Sequence, residues 1–350
     1  MNAKRHVVDL RSDFLSSPSE AMIDAMNAAA RSPGGFGLRE NLHVRALETK
    51  VATLLNKEDA LFCPTCTMAN QVAINVHCSP GDAVVAETSS HIFTSEAGAP
   101  GALSGVNARP IEGQNGCMDD EALANALTPS DALRARVSLV VLENTHVRSG
   151  GQAIPMAAMR SHHAMALQAD AAVHLDGARL VNAALALNVE LEQLSQYADS
   201  VSLSLNKSLG APLGAALAGT REFITEAVRV RQRFGGGWRP AGIPAAAALV
   251  ALDHWRARLA ADHQRARTLA AALTNLQGVS LEQPVMSNLL VVQVQGMTAH
   301  ELAAKLDDDG IRVIPFSANG VRLAIYHDIN DQHIERVAYA FDKLDIDSLT

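Results

Sequence analysis

The stretch AAVHLDGARLVNAALALNVELEQLSQYADSVSLSLNK, residues 171–207, decides the fold. An apolar run, AAVHLD (171–176), stops at a carboxylate, and a helical stretch follows at 185–197. A second strand-like run, DSVSLSL (199–205), then delivers Lys207 into a turn of small residues, SLGAPLG (208–214). Strand, helix and strand in this order form a crossover unit that lays two parallel strands side by side, with their carboxyl ends on one edge. Near-continuous apolar strands mark a sheet covered on both faces.

The same pattern extends outward. AVVAE (83–87), VSLVVLE (137–143) and GAALAG (214–219) read as further strands, and 155–169 as another helix. The expectation is an α/β domain with a mainly parallel sheet. After an Ala-rich helical region at about 241–275, the rhythm changes. LLVVQVQ (289–295), IRVIPF (311–316) and VRLAIY (321–326) surround a helix near 298–309, and a last helix runs near 331–344. This predicts a large domain over 1–250 and a smaller C-terminal α+β domain over 251–350.

Composition limits what such a molecule does. The 350 residues exceed one average domain, and 48% hydrophobic with 19% charged residues is ordinary for a globular protein. A net charge of -8 gives no general attraction to nucleic acid or an anionic membrane. No apolar run approaches the ~20 residues of a membrane span, and MNAKRHVVDLRSD (1–13) lacks the apolar core of a signal peptide. A cytoplasmic location is expected, with neither nucleic acid nor membrane as partner.

In a parallel sheet, ligands gather beyond the carboxyl ends of the strands. Asp176 ends one strand and is followed by Gly177-Ala178-Arg179; Glu143 ends another and is followed by Asn144-Thr145-His146; Lys207 follows a third. Lysine with a lowered pKa forms a Schiff base with a carbonyl. A buried aspartate needs a cationic or donor partner, and a protonated pyridine nitrogen is one. Together they point to pyridoxal 5′-phosphate, which also needs an anion cradle. PTCTMAN (64–70) supplies a candidate, because it turns into a helix whose first N–H groups lack partners. No GxGxxG follows a strand and no GxxxxGK[ST] appears, so dinucleotide and nucleoside triphosphate readings fail.

Cys63-Pro-Thr-Cys66 leaves two readings open: a thiol–disulfide pair at a helix start, or two small buried side chains. A zinc site lacks a second ligand pair at matching spacing.

The motifs DLRSD (9–13), PTCTMAN (64–70), HIFTSEAG (91–98), LENTHVRSGG (142–151), HLDGARLVNA (174–183), SLNKSLGAPLG (204–214) and FGGGWRPAG (234–242) occur in an order that resembles the threonine aldolase and β-eliminating lyase family. The resemblance covers nearly the whole chain. It implies the pyridoxal-phosphate-dependent transferase-like fold (fold type I), with a three-layer α/β/α large domain. By this likeness Lys207 would carry the cofactor's aldehyde, Asp176 would hold its ring nitrogen protonated, and His91 would stack on the ring. Arg179 would contact the cofactor's phenolic oxygen or the substrate carboxylate. Cys66 and Thr67 would bind the phosphate, joined by Arg239 from a neighbouring subunit. Ser12 and Arg322 would hold the substrate carboxylate.

The resemblance also implies a homodimer or homotetramer with shared active sites, residues 1–40 packing at the dimer seam. Its chemistry would be cleavage of a threonine-like β-hydroxy-α-amino acid into glycine and an aldehyde, with His146 as base, directly or through a water. β-Elimination, racemisation and transamination remain as alternatives within this class.

Several positions depart from the family pattern. Phe36-Gly37-Leu38-Arg39 replaces Tyr-Gly-Glu-Asp, Cys66 replaces a phosphate-loop glycine, and Trp238, Pro240, Gln232 and Tyr326 are also unusual.

Overall fold

A computed structural model describes residues 7–32, 34–129 and 132–344. Its large sheet has seven strands, in the order Asp59–Cys63, Ala215–Gly219, Ser200–Ser204, Ala172–Gly177, Val137–Glu143, Ala83–Glu87 and Asn107–Ile111. All run parallel except Ala215–Gly219, which is antiparallel to both its neighbours. The α/β architecture expected from the alternation is therefore present. Register then sets the site: Glu143 pairs with Asp176 and Asp176 with Ser202, so three polar side chains stand in one row near the carboxyl edge.

The turn that presents Lys207 is tightly bonded. Gly210 N–H donates to the Lys207 carbonyl (2.8 Å), Ala211 N–H to Leu205 (2.9 Å) and Leu205 N–H to Gly214 (3.0 Å). Gly214 has φ +112°, and a Cβ there would strike the Phe62 ring, so glycine is required at this return into the sheet.

Two helices differ from expectation. The stretch 185–197 is two helices, Leu180–Leu187 and Leu191–Ser195, because Asn188 takes a left-handed conformation (φ +52°) and closes the first. The first of them starts four residues after Asp176, which puts Arg179 at its N-cap. The Ala-rich region likewise divides into Gly242–Ala251 and Trp255–Thr274, parted at His254 (φ +54°).

The second sheet is antiparallel, in the order Val279–Leu281, Leu289–Val294, Gly320–Ala324 and Ile314–Pro315. The expected strand 311–316 is two short strands, since Ile311–Arg312 turns aside to pair in parallel with Val8–Asp9. The start of the chain thereby joins the smaller sheet's core: Val8 and Leu10 pack in one apolar cluster with Leu290, Leu323 and Phe341. The larger cluster runs from Met22 to Leu259. The Trp255–Thr274 helix serves both, with Trp255 and Leu259 in the large core and Ala266 and Leu269 in the small one. Among the described residues, no helix is long and apolar enough to cross a membrane.

Between those two halves of the long helix lies Asp262, buried, with neither carboxylate oxygen hydrogen-bonded and Arg265 Nη1 3.9 Å away. Burial pushes its pKa up to about 7 from 3.8, against the pull of Arg258 and Arg265. A folded-state pKa above the unfolded one means the native state holds the extra proton between these values, so stability falls as pH rises through that window. We expect Asp262→Asn to flatten this loss, its advantage over wild type growing by on the order of 2 kcal/mol from pH 5 to pH 8 in denaturant titrations. An unchanged pH profile of unfolding would refute it.

Candidate active site

The carboxyl edge of the large sheet brings together residues from remote parts of the chain. Asp176 is fully buried; its Oδ2 accepts from Asn70 Nδ2 (2.7 Å) and its Oδ1 from the Ala178 N–H (3.0 Å). Burial alone would raise its pKa, but the positive charges of His91 and Lys207 hold it below the usual range. Among the described residues no lysine, arginine or histidine forms an ion pair with it, and the Lys207 ammonium has no hydrogen-bond or ion-pair partner either.

The helix Cys66–His77 begins at the same edge, as expected from PTCTMAN. Its N-cap, Thr65, accepts from the Met68 N–H (3.0 Å), which leaves the N–H groups of Cys66 and Thr67 without partners among the described residues. Such a helix start is an anion site. A buried carboxylate without an ion pair, a lysine amine without a hydrogen-bond partner and two unpaired helix N–H groups match the ring nitrogen, aldehyde and phosphate of pyridoxal 5′-phosphate. The residues present therefore fit the cofactor.

His91 opens a short helix on this edge. Its Nδ1 meets Glu96 Oε1 (2.8 Å) and its backbone N–H donates to Glu143 Oε2 (2.6 Å). Burial lowers the His91 pKa, but Glu96 and Asp176 prevail and raise it. Glu96 is itself held by Asn70 Nδ2 (2.9 Å) and Gln71 Nε2 (2.6 Å).

His146 is buried completely, with Nδ1 2.8 Å from Ser149 Oγ and Nε2 3.1 Å from Glu87 Oε2 and 3.9 Å from Glu143 Oε2. Burial opposes its charge, yet the two carboxylates raise its pKa, while the His146 contact draws that of Glu87 down against burial. Its Nδ1 is hydrogen-bonded while Nε2 is buried without a hydrogen bond, and with no exposed surface His146 fits the water-mediated form of its expected role.

Arg179 is locked by a residue that sequence reasoning missed. Asp13 accepts from Arg179 Nε (2.8 Å) and Nη2 (2.6 Å), and further from Ser208 Oγ (2.8 Å) and Asn288 Nδ2 (3.3 Å). Burial acts against the Asp13 charge, but Arg179 and Lys207 hold its pKa far below the usual carboxylate range. Ser12 lies beside it, buried, with Oγ 3.5 Å from Asp13 Oδ1. Arg322 donates from Nη2 to the Arg11 carbonyl (2.9 Å), and burial with the nearby Arg179 charge lowers its pKa to about 10. Arg322 and Arg148 both flank the Phe316 ring, at 5.6 and 5.7 Å. Arg148, one residue beyond Val147 in LENTHVRSGG, was also missed.

Two expected residues behave differently from the rest. Arg239 is exposed and donates from Nε to the Phe36 carbonyl (3.0 Å); within its own chain it joins the surface loop at residue 36. Cys66 turns its thiol inward, 3.4 Å from Ser202 Oγ and 3.9 Å from Asp176 Oδ1. Both members of the CxxC are free cysteines. Burial pushes the Cys63 thiol up to about 12, and burial with the Asp176 charge pushes Cys66 up as well. Thiolate chemistry needs the opposite shift, so the disulfide-exchange reading finds no support.

Comparisons with known proteins agree with this edge. A family profile described as beta-eliminating lyase matches residues 9–296. A probable low-specificity L-threonine aldolase 2 of Arabidopsis thaliana is 36% identical over 345 residues, covering 96% of this chain and 97% of that protein. A low specificity L-threonine aldolase of Escherichia coli K12 is 35% identical over 335 residues, covering 95% and 97%. The solved threonine aldolase of Leishmania major superposes with a TM-score of 0.85 over 96% of this chain and 99% of that one, at 19% identity, which establishes the shared fold type I architecture. By profile and by full-length relatives, the chain belongs to the β-eliminating lyase family.

Proposed function

We infer that the protein is a pyridoxal-phosphate-dependent carbon–carbon lyase that cleaves threonine-like β-hydroxy-α-amino acids into glycine and an aldehyde. The observation that carries this is the convergence of Asp176, Lys207 and the Cys66–Thr67 cradle on one sheet edge beside Arg179 and Arg322. Full-length relatives named as threonine aldolases support the substrate class.

Each residue then has a task. Lys207 would supply the amine that holds the cofactor, Asp176 would keep a proton at its ring nitrogen, and the Cys66 and Thr67 N–H groups with the Thr67 hydroxyl would hold its phosphate. His91, oriented by Glu96, would lie against the ring. Bound there, the cofactor accepts the electron pair released when a bond to Cα breaks. Arg179, with Nη1 free of Asp13, joins Arg322 and Ser12 to orient the substrate carboxylate. Neutral His146 would receive the β-hydroxyl proton through water, and the carboxylates of Glu87 and Glu143, 3.1 and 3.9 Å from its Nε2, would offset the charge it gains.

The oligomer belongs to this proposal. Phe36 and Leu42 are 91% and 82% exposed, Phe14 is 58% exposed, and Arg239 stands on the Phe36 loop; a second copy of the chain covering them would let Arg239 serve the neighbour's phosphate. Residues 1–6 and 33 of the expected seam lie outside the described residues. The departures from the family pattern fall partly here: Arg39 is bound to Glu48 (2.9 Å) and Asp59 (2.8 Å) and so braces the fold. We place the enzyme in the cytoplasm.

The test is product analysis. With threonine, allo-threonine and phenylserine as substrates, glycine and aldehyde should appear in equal amounts. Pyruvate and ammonia from serine, without glycine from any of the three, would assign β-elimination instead.

A further inference from the structure

We propose that His174 is a positioning residue which, by donating to the amide oxygen of Asn70, holds the amide whose nitrogen donates to Asp176 Oδ2, as a link in a polar chain that crosses the sheet from its opposite edge. This rests on the functional reading of Asp176 above.

The directions can be derived in order. Asn70 Nδ2 lies 2.7 Å from Asp176 Oδ2 and 2.9 Å from Glu96 Oε1. Only a nitrogen can face two carboxylates, so the amide oxygen must point the other way. There it accepts from Ser202 Oγ (2.8 Å) and from His174 Nε2 (3.1 Å). His174 must then carry its hydrogen on Nε2, which leaves Nδ1 to accept from Ser200 Oγ (2.9 Å). With its hydrogen committed, Ser200 Oγ accepts from His77 Nε2 (2.8 Å). His77 ends the helix that began at the phosphate cradle, stacks on Phe223 (4.7 Å between centroids) and lines a cavity of about 380 Å³ with Asp82, Arg136 and Asp199.

Every donor in this chain points toward Asp176. Burial supports it by pushing His174 down to about 3 and His77 down to about 4, so both rings stay neutral and keep one donor and one acceptor each. Aligned donors polarise one another, which strengthens the last N–H on the carboxylate. An amide stands in the path, so the chain orients without passing protons. With Oδ2 bound by Asn70 and Oδ1 by Ala178, the carboxylate is held in one rotamer, ready for a ring nitrogen.

Two variants and one spectrum test this. His174→Leu removes the donor, whereas His174→Gln can place an amide N–H near the position of Nε2. Fluorescence titration of cofactor-depleted protein should show pyridoxal phosphate binding weakened about tenfold or more by Leu and less than about threefold by Gln. Equal binding by Leu and wild type, or equal losses in both variants at unchanged melting temperature, would overturn the proposal. Nitrogen-15 spectra of the cofactor-free wild type should show neutral His174 with hydrogen on Nε2; hydrogen on Nδ1, or a charged ring, also overturns it. Wild-type protein that binds no pyridoxal phosphate would instead defeat the functional reading, and the tautomer would still decide the direction of the chain.

Discussion

Lys207→Ala should lower amino-acid cleavage by about 10³-fold or more while leaving the protein folded. The two halves of this expectation have separate causes. Activity depends on a primary amine at the sheet edge, and none of the neighbouring side chains described there supplies another. The fold of the turn depends on its backbone, in which the Lys207 carbonyl accepts from Gly210, while the ammonium forms no hydrogen bond or ion pair that the variant would break. Losing that charge raises the Asp176 pKa, since His91 and Lys207 lead the groups that hold it down, so the variant should also bind pyridoxal phosphate more weakly. Borohydride reduction followed by mass spectrometry checks the assignment directly. Wild type should gain the mass of the reduced cofactor on the peptide containing Lys207, and Lys207→Ala should gain none. A covalent adduct surviving in the variant would move the role to another lysine.

The reason Lys207 was legible in the sequence is that its signal is local. Apolar runs ending in a charged residue, repeated at Glu143, Asp176 and Lys207, need only the parallel-sheet rule to be placed on one edge; the register aligns Glu143 with Asp176 and sets the strand that leads to Lys207 beside them. The strands over 83–87 and 137–143 are found at those same residues because buried parallel strands have sharp apolar boundaries. Helix limits were less visible. Asn188 and His254 break helices through left-handed backbone that neither residue type announces unambiguously. What sequence could not show at all is pairing at a distance. Asp13 and Arg179 stand 166 positions apart, and Asn70 and His174 stand 104 apart; each pair exists only after the sheet has formed. The motif DLRSD drew attention to Ser12, yet the adjacent Asp13 is the side chain that accepts five hydrogen bonds, one of them from Ser12.

Asp13→Ala should therefore be the most damaging substitution outside the residues that meet the cofactor. It leaves Arg179 buried beside Arg322 with no carboxylate against it, and breaking one side of a buried ion pair costs about 3–5 kcal/mol. Ser208 loses its acceptor and Asn288 one of three, so the ties among the lysine turn, the start of the chain and the strand entering at Leu289 weaken together. Asp13→Asn retains the shape without the charge and should fall between the two. Two readouts separate positioning from plain destabilisation. At temperatures where the variant is still folded, KM should rise more than kcat falls, because the freed guanidinium no longer presents Nη1 to the substrate carboxylate. In a double-mutant cycle, Arg179→Ala should restore much of the stability lost in Asp13→Ala, since the uncompensated cation is then gone. The pH dependence has a defined sign. A carboxylate whose folded pKa is depressed contributes stability above its unfolded value of 3.8 and loses it as pH falls below that value, so wild type and Asp13→Asn should converge in stability only in strong acid. Additive losses in the cycle, with KM unchanged, would show that Asp13 braces the fold without governing the arginine.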